Sequence, residues 1–512
     1  MKLEELLRDV EVEDVEGPLD LEIAEVRDDS RAITAGDLFA ALPGATSASS
    51  DGHAFLAEAQ GRGAVAALVE RKLDAGEFAG TRIRVASTTK ALAHVASRRY
   101  GDPSRALKMI AVTGTNGKTT TTFLVEAILV AAGHRPGVIG TVNYRYAGKT
   151  MDAPFTTPTA LQLHRILAEM KAAGCTHVIL EASSHALALD RLEGIEFRVG
   201  AFTNLTQDHL DFHPSMEDYF RAKSLLMRSL RHSDGVGVIF LDGPYGQRMA
   251  NAVVGERMLV SLVREGADIV PQRSSCTIDG ITAELASPMG PIRVRSRLLG
   301  EYNLANITVA AGIAVSIGIA VDPIERGLAE LPGVPGRVER VATELGFAVV
   351  VDYAHTHDAL ENVIAALRPL TAGRLFCVFG CGGDRDRTKR PRMGRSVARD
   401  ADLAFVTSDN PRTEEPRSIV EMILAGVVEI GSPELAREDL ATAKRGFFVE
   451  VDRRAAIELA IAAAQQGDVL LIAGKGHEDY QIVGKTKHPF DDRKVAAEAL
   501  ARRAAGPQSD AP

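Results

Sequence analysis

An excess of positive charge is missing from this chain: 59 lysines and arginines face 68 aspartates and glutamates, a formal net charge of −9 over 512 residues. A nucleic-acid binder needs a basic face to displace counterions, so that class is disfavoured and small-molecule partners are expected. No apolar run reaches membrane-spanning length, and Met1 to Asp9 is acidic without the apolar core of a signal segment. No membrane association is expected, and the chain is placed in the cytoplasm. Cysteine is scarce, at four residues with no metal-type spacing, which fits a reducing compartment. Cys377 and Cys381 are expected as buried strand-end residues rather than ligands. What remains is ordinary for a soluble globular protein, with 46% hydrophobic and 25% charged residues. The length is too great for one core and suggests about three domains.

The most informative stretch is Gly114-Thr115-Asn116-Gly117-Lys118-Thr119-Thr120, which follows the apolar run Met109 to Val112 and leads into Thr121 to Leu129. A strand, a Gly-rich turn and a helix N-terminus form a phosphate cradle, with Lys118 supplying charge and Thr119 a hydroxyl for Mg2+. The general phosphate-loop pattern has Gly five residues before Gly117, where this chain has Val112; the alternative is a plain Gly-rich turn. Residues 1–100 read as a small α/β domain, with a strand at Leu38 to Leu42, a helix at His53 to Ala59 and a strand at Ala64 to Val69. Its Asp29-Ser30-Arg31 trio is either a turn and cap or a binding element. Tyr100 to Ser104 reads as one domain boundary and Glu330 to Arg340, with two Pro and two Gly, as the next, giving domains at 1–100, 101–335 and 336–512.

Beyond residue 101 the chain repeats a short apolar strand ending in a polar cluster. Thr176 to Leu180 runs into Glu181-Ala182-Ser183-Ser184-His185, and Val199 to Phe202 into the stretch Thr203 to Asp211. In the last third, Ala348 to Val351 precedes Asp352, Leu375 to Phe379 precedes Gly380 to Arg385, Ala404 to Thr407 precedes Ser408 to Arg412, and Val469 to Ala473 precedes Gly474 to Glu478. Continuous apolar strands separated by helical stretches predict an α/β fold with parallel sheets buried on both faces and ligands outside the strand carboxyl ends. Glu181 is then a natural Mg2+ partner for Thr119, against a solvated loop carboxylate. His209 either completes a second metal site or is structural. Lys223 reads by default as an exposed helix lysine with no role. The basic run Asp384 to Arg399 is a solvated face, an anion site or, least of all without aromatics, a nucleic-acid patch. Asp409, Asn410 and Arg412 together can read both ends of a zwitterion, so an amino acid is the natural ligand; the alternative is a capped turn before Pro411.

In order and spacing, Asp29-Ser30-Arg31, the Gly114 to Thr119 loop, Glu181 to His185, Asn204 to His209 and Gly474 to Glu478 resemble the Mur ligase family over essentially the whole chain. The resemblance implies three domains: an N-terminal uridine-nucleotide domain, a central phosphate-loop ATPase domain with a mainly parallel sheet, and a C-terminal Rossmann-like domain that holds the amino acid. It implies an ATP-dependent ligase of peptidoglycan precursor synthesis, acting as a monomer on small molecules. Its reaction would add meso-diaminopimelate to UDP-N-acetylmuramoyl-L-alanyl-D-glutamate (UDP-MurNAc-dipeptide) through an acyl phosphate. Under this resemblance Ser30 and the loop from Gly44 to Ser47 meet the uridine end, and Thr156, Thr157, Ser183 and Arg191 hold the muramoyl-dipeptide end. The Gly114 to Thr120 loop, Asn306, Arg337 and Asp352 take ATP. Thr119, Glu181, His209 and a carbamylated Lys223 hold Mg2+, with Lys118, Glu181, His209 and Lys223 as the catalytic group. Arg385, Asp409, Asn410, Pro411, Arg412, Gly474 and Glu478 receive diaminopimelate, whose distal carboxylate Arg412 and Arg385 clamp. This chain has His357 where the family often has Pro, and Leu189 where some relatives carry Gln.

Overall fold

The computed structural model describes residues 1–44, 50–74, 76–210, 212–230 and 234–505. Ala45, Thr46 and Ser47 of the anticipated uridine loop, Asp211 and the tail from Gly506 lie outside the described residues. The chain divides into two compact units: residues 1–272, 285–292 and 305–328 form one, and 273–284, 293–304 and 329–512 the other.

The first unit holds two sheets. In the smaller, the strands run in the order Val12–Glu16, Thr81–Val85, Ala66–Val69, Leu38–Ala40 and Val26–Arg27, all neighbours parallel except the first pair. The strand expected over Leu38 to Leu42 stops at Ala40, and the helix expected from His53 begins only at Leu56. The cause of the late start is local: the Asp51 carboxylate accepts the His53 N–H at 2.9 Å and winds Gly52–Phe55 into a tight 3-10 turn first. The Asp29-Ser30-Arg31 trio is likewise a capped 3-10 turn, with Asp29 accepting from Arg31 N at 3.0 Å.

The larger sheet has the order Glu256–Val260, Val236–Phe240, Phe197–Phe202, Lys108–Thr113, His177–Glu181, Pro136–Ile139, Tyr144–Tyr146 and Lys149–Met151. The first six are parallel, and the last two add an antiparallel hairpin at the edge. From Lys108–Thr113 the chain moves to one side for Pro136–Ile139 and His177–Glu181, then to the other for Phe197–Phe202. Lys108–Thr113 is therefore the switch point, where open parallel sheets place their ligand crevice.

In the second unit the order is Glu339–Val341, Ala348–Asp352, Val469–Ala473, Leu375–Phe379, Leu403–Val406 and Gly446–Val449, parallel except for the first strand. Alternate residues go to opposite cores. Val350, Cys377 and Leu471 pack with helices His357–Leu367, Lys389–Asp400 and Pro416–Glu429, whereas Val349, Phe376 and Leu470 pack with helices Arg453–Ala463 and Asp492–Ala504. Two buried faces explain why these strands read as unbroken apolar runs rather than alternating ones. Cys377 and Cys381 are buried free thiols, as expected from sequence. His357 occupies the first helical position after the Thr356 cap, whose hydroxyl accepts from Ala359 N at 3.3 Å. Pro is favoured at that position and not required, so the helix starts where a Pro would start it.

Candidate active site

The strand Lys108–Thr113 delivers Gly114 into a loop that is tightly bound to its neighbour strand end. Thr115 N donates to Asn204 O and Asn116 N to Asn204 Oδ1, both at 2.9 Å, and Thr203 Oγ1 donates to Asn116 O at 2.6 Å. A Cβ on Gly114, which has φ +149°, would stand 1.9 Å from Thr203 Oγ1, so only glycine fits. Gly117, at φ +86°, caps helix Lys118–Ala131, and the Asn306 amide presses so close that an added Cβ would meet its Oδ1 at 2.3 Å. Val112 lies inside the strand, paired with Glu181 and Ala201, so the turn is short and begins after it. Lys118 folds back over this turn, its Nζ donating to Gly114 O and Thr115 O at 2.8 Å each.

Glu181 ends the neighbouring strand and is 1% exposed. Its Oε2 accepts from Thr119 Oγ1 at 3.1 Å and from Thr141 Oγ1 at 2.8 Å, while Oε1 accepts Thr141 N at 3.0 Å. The expectation that Glu181 and Thr119 meet therefore holds geometrically, and Thr141, which the sequence did not mark, completes the group. Among the described residues no cluster of three or more His, Cys, Asp and Glu could hold a metal ion. One carboxylate and one hydroxyl beside a phosphate cradle are nonetheless the hard oxygen donors that suit Mg2+, which keeps waters and phosphate oxygens in its remaining positions.

Thr156 joins this group through Thr141, hydroxyl to hydroxyl at 3.1 Å. Thr157 Oγ1 lies 2.7 Å from Glu181 O and 3.1 Å from Ser183 Oγ, and Arg191 Nη1 donates to Thr157 O at 3.1 Å. Ser183 also caps helix Ser184–Ala188 through Ala186 N. The four residues expected at the dipeptide end are thus drawn together at one strand terminus.

Lys223 departs from its default reading as an exposed helix lysine: it is 1% exposed, on the buried face of helix Met216–Ser229. Its Nζ donates to Gly114 O at 2.8 Å, the same carbonyl that receives Lys118, and lies 4.6 Å from the Tyr219 ring centroid. Burial, reinforced by the Lys118 charge, pushes its pKa well below the usual lysine value, with Asp208 acting in the opposite sense. His209 sits at φ +53° with its ring edge-on to His185 at 4.9 Å and 6.1 Å from Tyr219. Tyr219, which also lies within hydrogen-bond distance of Thr115 at 3.2 Å, links the two lysine-bearing elements. Ser30 is buried and donates to Glu58 Oε2 at 2.9 Å.

In the second unit Asp352 ends its strand buried, accepting from Val338 N and Ala354 N at 2.8 Å each. Burial raises its pKa, and Arg337 acts against this. Arg337 lies 5.2 Å from the Tyr353 ring, which also meets His477. Asp409 is 6% exposed, and its charge acts on the buried Arg453. Gly474 faces it so closely that a Cβ would stand 2.6 Å from Asp409 Oδ2. Asn410 Nδ2 donates to Glu478 Oε2 at 2.9 Å. After Pro411, Arg412 adopts φ +51° and its Nη1 donates to Gly383 O at 2.8 Å. A Cβ on Gly382 would lie 2.9 Å from Arg412 Nη1 and 3.7 Å from Arg385 Cγ, so both arginines flank Gly382.

The basic run divides in a way its composition does not reveal. Arg390 is fully buried, paired through both terminal nitrogens with Glu414 at 3.0 and 2.8 Å and donating to Gly382 O at 3.3 Å. Glu414 in turn accepts Asp384 N at 2.6 Å, which fixes the loop carrying Arg385. Arg453 and Asp492, both 0% exposed, form a two-bond ion pair at 2.8 and 2.7 Å. Arg453 also donates to Ser408 O and Ala473 O, the residues that directly precede Asp409 and Gly474.

Two family models match this chain: the Mur ligase middle domain over residues 112–314 and the Mur ligase glutamate ligase domain over 336–476. A protein of Geobacter metallireducens named UDP-N-acetylmuramoyl-L-alanyl-D-glutamate--2,6-diaminopimelate ligase is 44% identical over 510 residues, covering 98% of each chain. One of the same name from Gloeobacter violaceus is 46% identical over 504 residues, covering 98% of this chain and 99% of the relative. A solved structure of a ligase with that name superposes with a TM-score of 0.71 at 31% identity, over 98% of this chain and 99% of the other. Likeness of this degree from end to end, with the phosphate loop and the Asp409 to Arg412 turn inside the matched segments, means that the chain belongs to the Mur ligase family.

Proposed function

We propose that this chain is a cytoplasmic, ATP-dependent amide ligase that joins meso-diaminopimelate to UDP-N-acetylmuramoyl-L-alanyl-D-glutamate. The observation that carries the reading is the end-to-end identity of 44–46% to relatives bearing that name. Among the described residues no helix is long and apolar enough to cross a membrane, which suits a cytoplasmic enzyme. In this reading residues 1–100 serve the uridine nucleotide with Ser30, residues 101–335 serve ATP and the dipeptide, and residues 336–512 serve the amino acid. The enzyme acts as a monomer and binds no nucleic acid.

The reaction proceeds in two displacements. A carboxylate oxygen of the D-glutamyl residue attacks the terminal phosphorus of ATP, and the bond to ADP breaks, leaving an acyl phosphate. The diaminopimelate amine then attacks the acyl carbon, phosphate departs with its bonding electrons, and the nitrogen loses a proton. Lys118, already turned over the loop, offsets the charge that develops on the transferring phosphoryl group. Thr119 and Glu181 would hold Mg2+, which as a Lewis acid neutralises phosphate charge. Thr157, Ser183 and Arg191 orient the dipeptide. Asn306, Arg337 and Asp352 meet the nucleotide.

Lys223 is carbamylated in this reading. Its buried position beside Lys118 favours the neutral amine, the form that adds to CO2, and the product carries negative charge where an ammonium would repel a cation. His209 stands with it as a second metal-side residue. For the amino acid, Asp409 and Glu478 accept from ammonium groups, and Arg412 with Arg385 grips the distal carboxylate that lysine lacks.

The test is an amino-acid panel with purified protein, ATP and UDP-MurNAc-dipeptide, following phosphate release and amide product together. Product with meso-diaminopimelate and little with lysine is expected. Phosphate release with both substrates present and no amide formed refutes the assignment.

A further inference from the structure

Lys475 is a lysine with no access to solvent, and it lies within the loop that carries Gly474 and Glu478. A buried ammonium is costly unless it is paired, and this one is paired with two residues of the amino-acid end rather than with the core. Its Nζ donates to Glu478 Oε2 at 3.1 Å and to Asn410 Oδ1 at 3.2 Å. Asn410 Nδ2 donates to the same Glu478 oxygen at 2.9 Å, which closes a three-membered ring of hydrogen bonds. Ile482 N adds a second donor to Asn410 Oδ1 at 2.9 Å, so the orientation of the amide is fixed from both sides. The Tyr480 ring, 5.5 Å from Nζ, faces the same ammonium.

The consequence lies in what is left over. Asn410 Nδ2 carries a second hydrogen and Glu478 a second oxygen, and among the described residues neither has a partner. One donor and one acceptor are thus left over on two hydrogen-bonded side chains, and Lys475 is bonded to both. We propose that Lys475 is a positioning residue for recognition of the amino-acid substrate: it neutralises Glu478, fixes the polarity of Asn410 and so presents a matched acceptor and donor to the ammonium and carboxylate of one stereocentre. The role proposed for Lys475 is to hold these two side chains, not to touch ATP, the dipeptide or the amino acid. This inference rests on the amino-acid assignment made above for Asn410 and Glu478.

Lys475→Met removes the charge and keeps the length of the side chain. The expected result is an increase of tenfold or more in KM for meso-diaminopimelate, with kcat reduced less than threefold and KM for ATP and UDP-MurNAc-dipeptide within twofold of the parent enzyme. A purely structural lysine would lower the active fraction or the melting temperature without singling out one substrate. The second arm compares Glu478→Gln with the Lys475→Met/Glu478→Gln double variant, which leaves no unpaired charge behind. If Lys475 acts through Glu478, the double variant shows the same diaminopimelate KM as Glu478→Gln alone.

Amino-acid KM within twofold of the parent in Lys475→Met, equal changes in all three KM values, or multiplicative losses in the double variant each overturn the proposal. So does failure of both lysine variants to fold, because Lys475 would then be holding the unit together. Parent enzyme that makes no amide with meso-diaminopimelate refutes the underlying assignment instead, so the two failures are told apart.

Discussion

Replacing Glu181 by Gln separates the fold of the phosphate loop from its chemistry. The carboxylate accepts three hydrogen bonds, two at Oε2 from the Thr119 and Thr141 hydroxyls and one at Oε1 from Thr141 N. Glutamine has the same shape. With its oxygen toward Thr141 N and its amide nitrogen toward the hydroxyls, both threonines can rotate from donor to acceptor, and no hydrogen bond is lost. Three bonds to a charged acceptor become neutral ones, a loss of about 1 kcal/mol each, and the end of carboxylate desolvation offsets part of it. The net change in stability is therefore within about 2 kcal/mol, and the protein stays folded. What disappears is the negative charge beside Thr119. Under the proposed role this lowers kcat/KM for ATP by roughly 100-fold or more, about 2.7 kcal/mol in the barrier. Steady-state phosphate release at saturating meso-diaminopimelate and UDP-MurNAc-dipeptide measures the rate, and a Mg2+ titration should show partial recovery at high concentration. A variant with kcat/KM for ATP within threefold of the parent, and an unchanged Mg2+ dependence, refutes the assignment of Glu181 to the metal.

Three further outcomes are expected. Arg412→Ala should raise KM for meso-diaminopimelate roughly 100-fold, since a charge-assisted contact contributes about 1.5–3 kcal/mol, and should erode the preference over lysine while leaving nucleotide binding intact; an equal loss of ATP binding contradicts it. Arg453→Met should destabilise the second unit by about 3–5 kcal/mol by leaving Asp492 buried and unpaired, and Arg453→Met/Asp492→Leu should recover much of that in urea unfolding. His164, fully buried with neither ring nitrogen hydrogen-bonded among the described residues, is pushed by burial from 6.5 down to about 4. The unfolded chain binds its proton first, so stability is full above pH 6.5 and falls as the pH drops toward 4, by about 3 kcal/mol in total. His164→Leu should flatten that part of the stability curve, and an unchanged slope between pH 4.5 and 6.5 would refute the account.

Sequence was most informative where function and local structure coincide. The Gly114 to Thr119 turn, Glu181 at a strand end and Ser183 in the polar cluster just after it are each legible because a parallel strand buried on both faces leaves its polar residues only at its carboxyl end. Thr141 escaped notice because it reaches Glu181 across 40 residues, with nothing periodic to connect them. Lys223 reads by default as an exposed helix lysine, since a sequence does not show which side of a helix is covered. Arg390 is not distinguished within a run that reads as a solvated face, an anion site or a nucleic-acid patch, although it is buried against Glu414 while Arg385 is exposed. The late start of the helix after Asp51 turned on one carboxylate choosing the nearest N–H, a local competition that helical periodicity does not register.

The Arg453–Asp492 pair has a consequence beyond stability. By gripping at once Ser408 O, two residues past the strand Leu403–Val406, and Ala473 O at the end of the strand Val469–Ala473, it ties together the backbones that lead directly into Asp409 and Gly474. The spacing between the carboxylate on one loop and the backbone on the other is thereby set before any ligand arrives. Preorganisation of this kind reduces the conformational entropy lost on association and makes discrimination depend on shape, because the loops have little freedom to move toward a poorer fit. Under the proposed role, an amino acid one carboxylate short meets a site that keeps the spacing of the correct one.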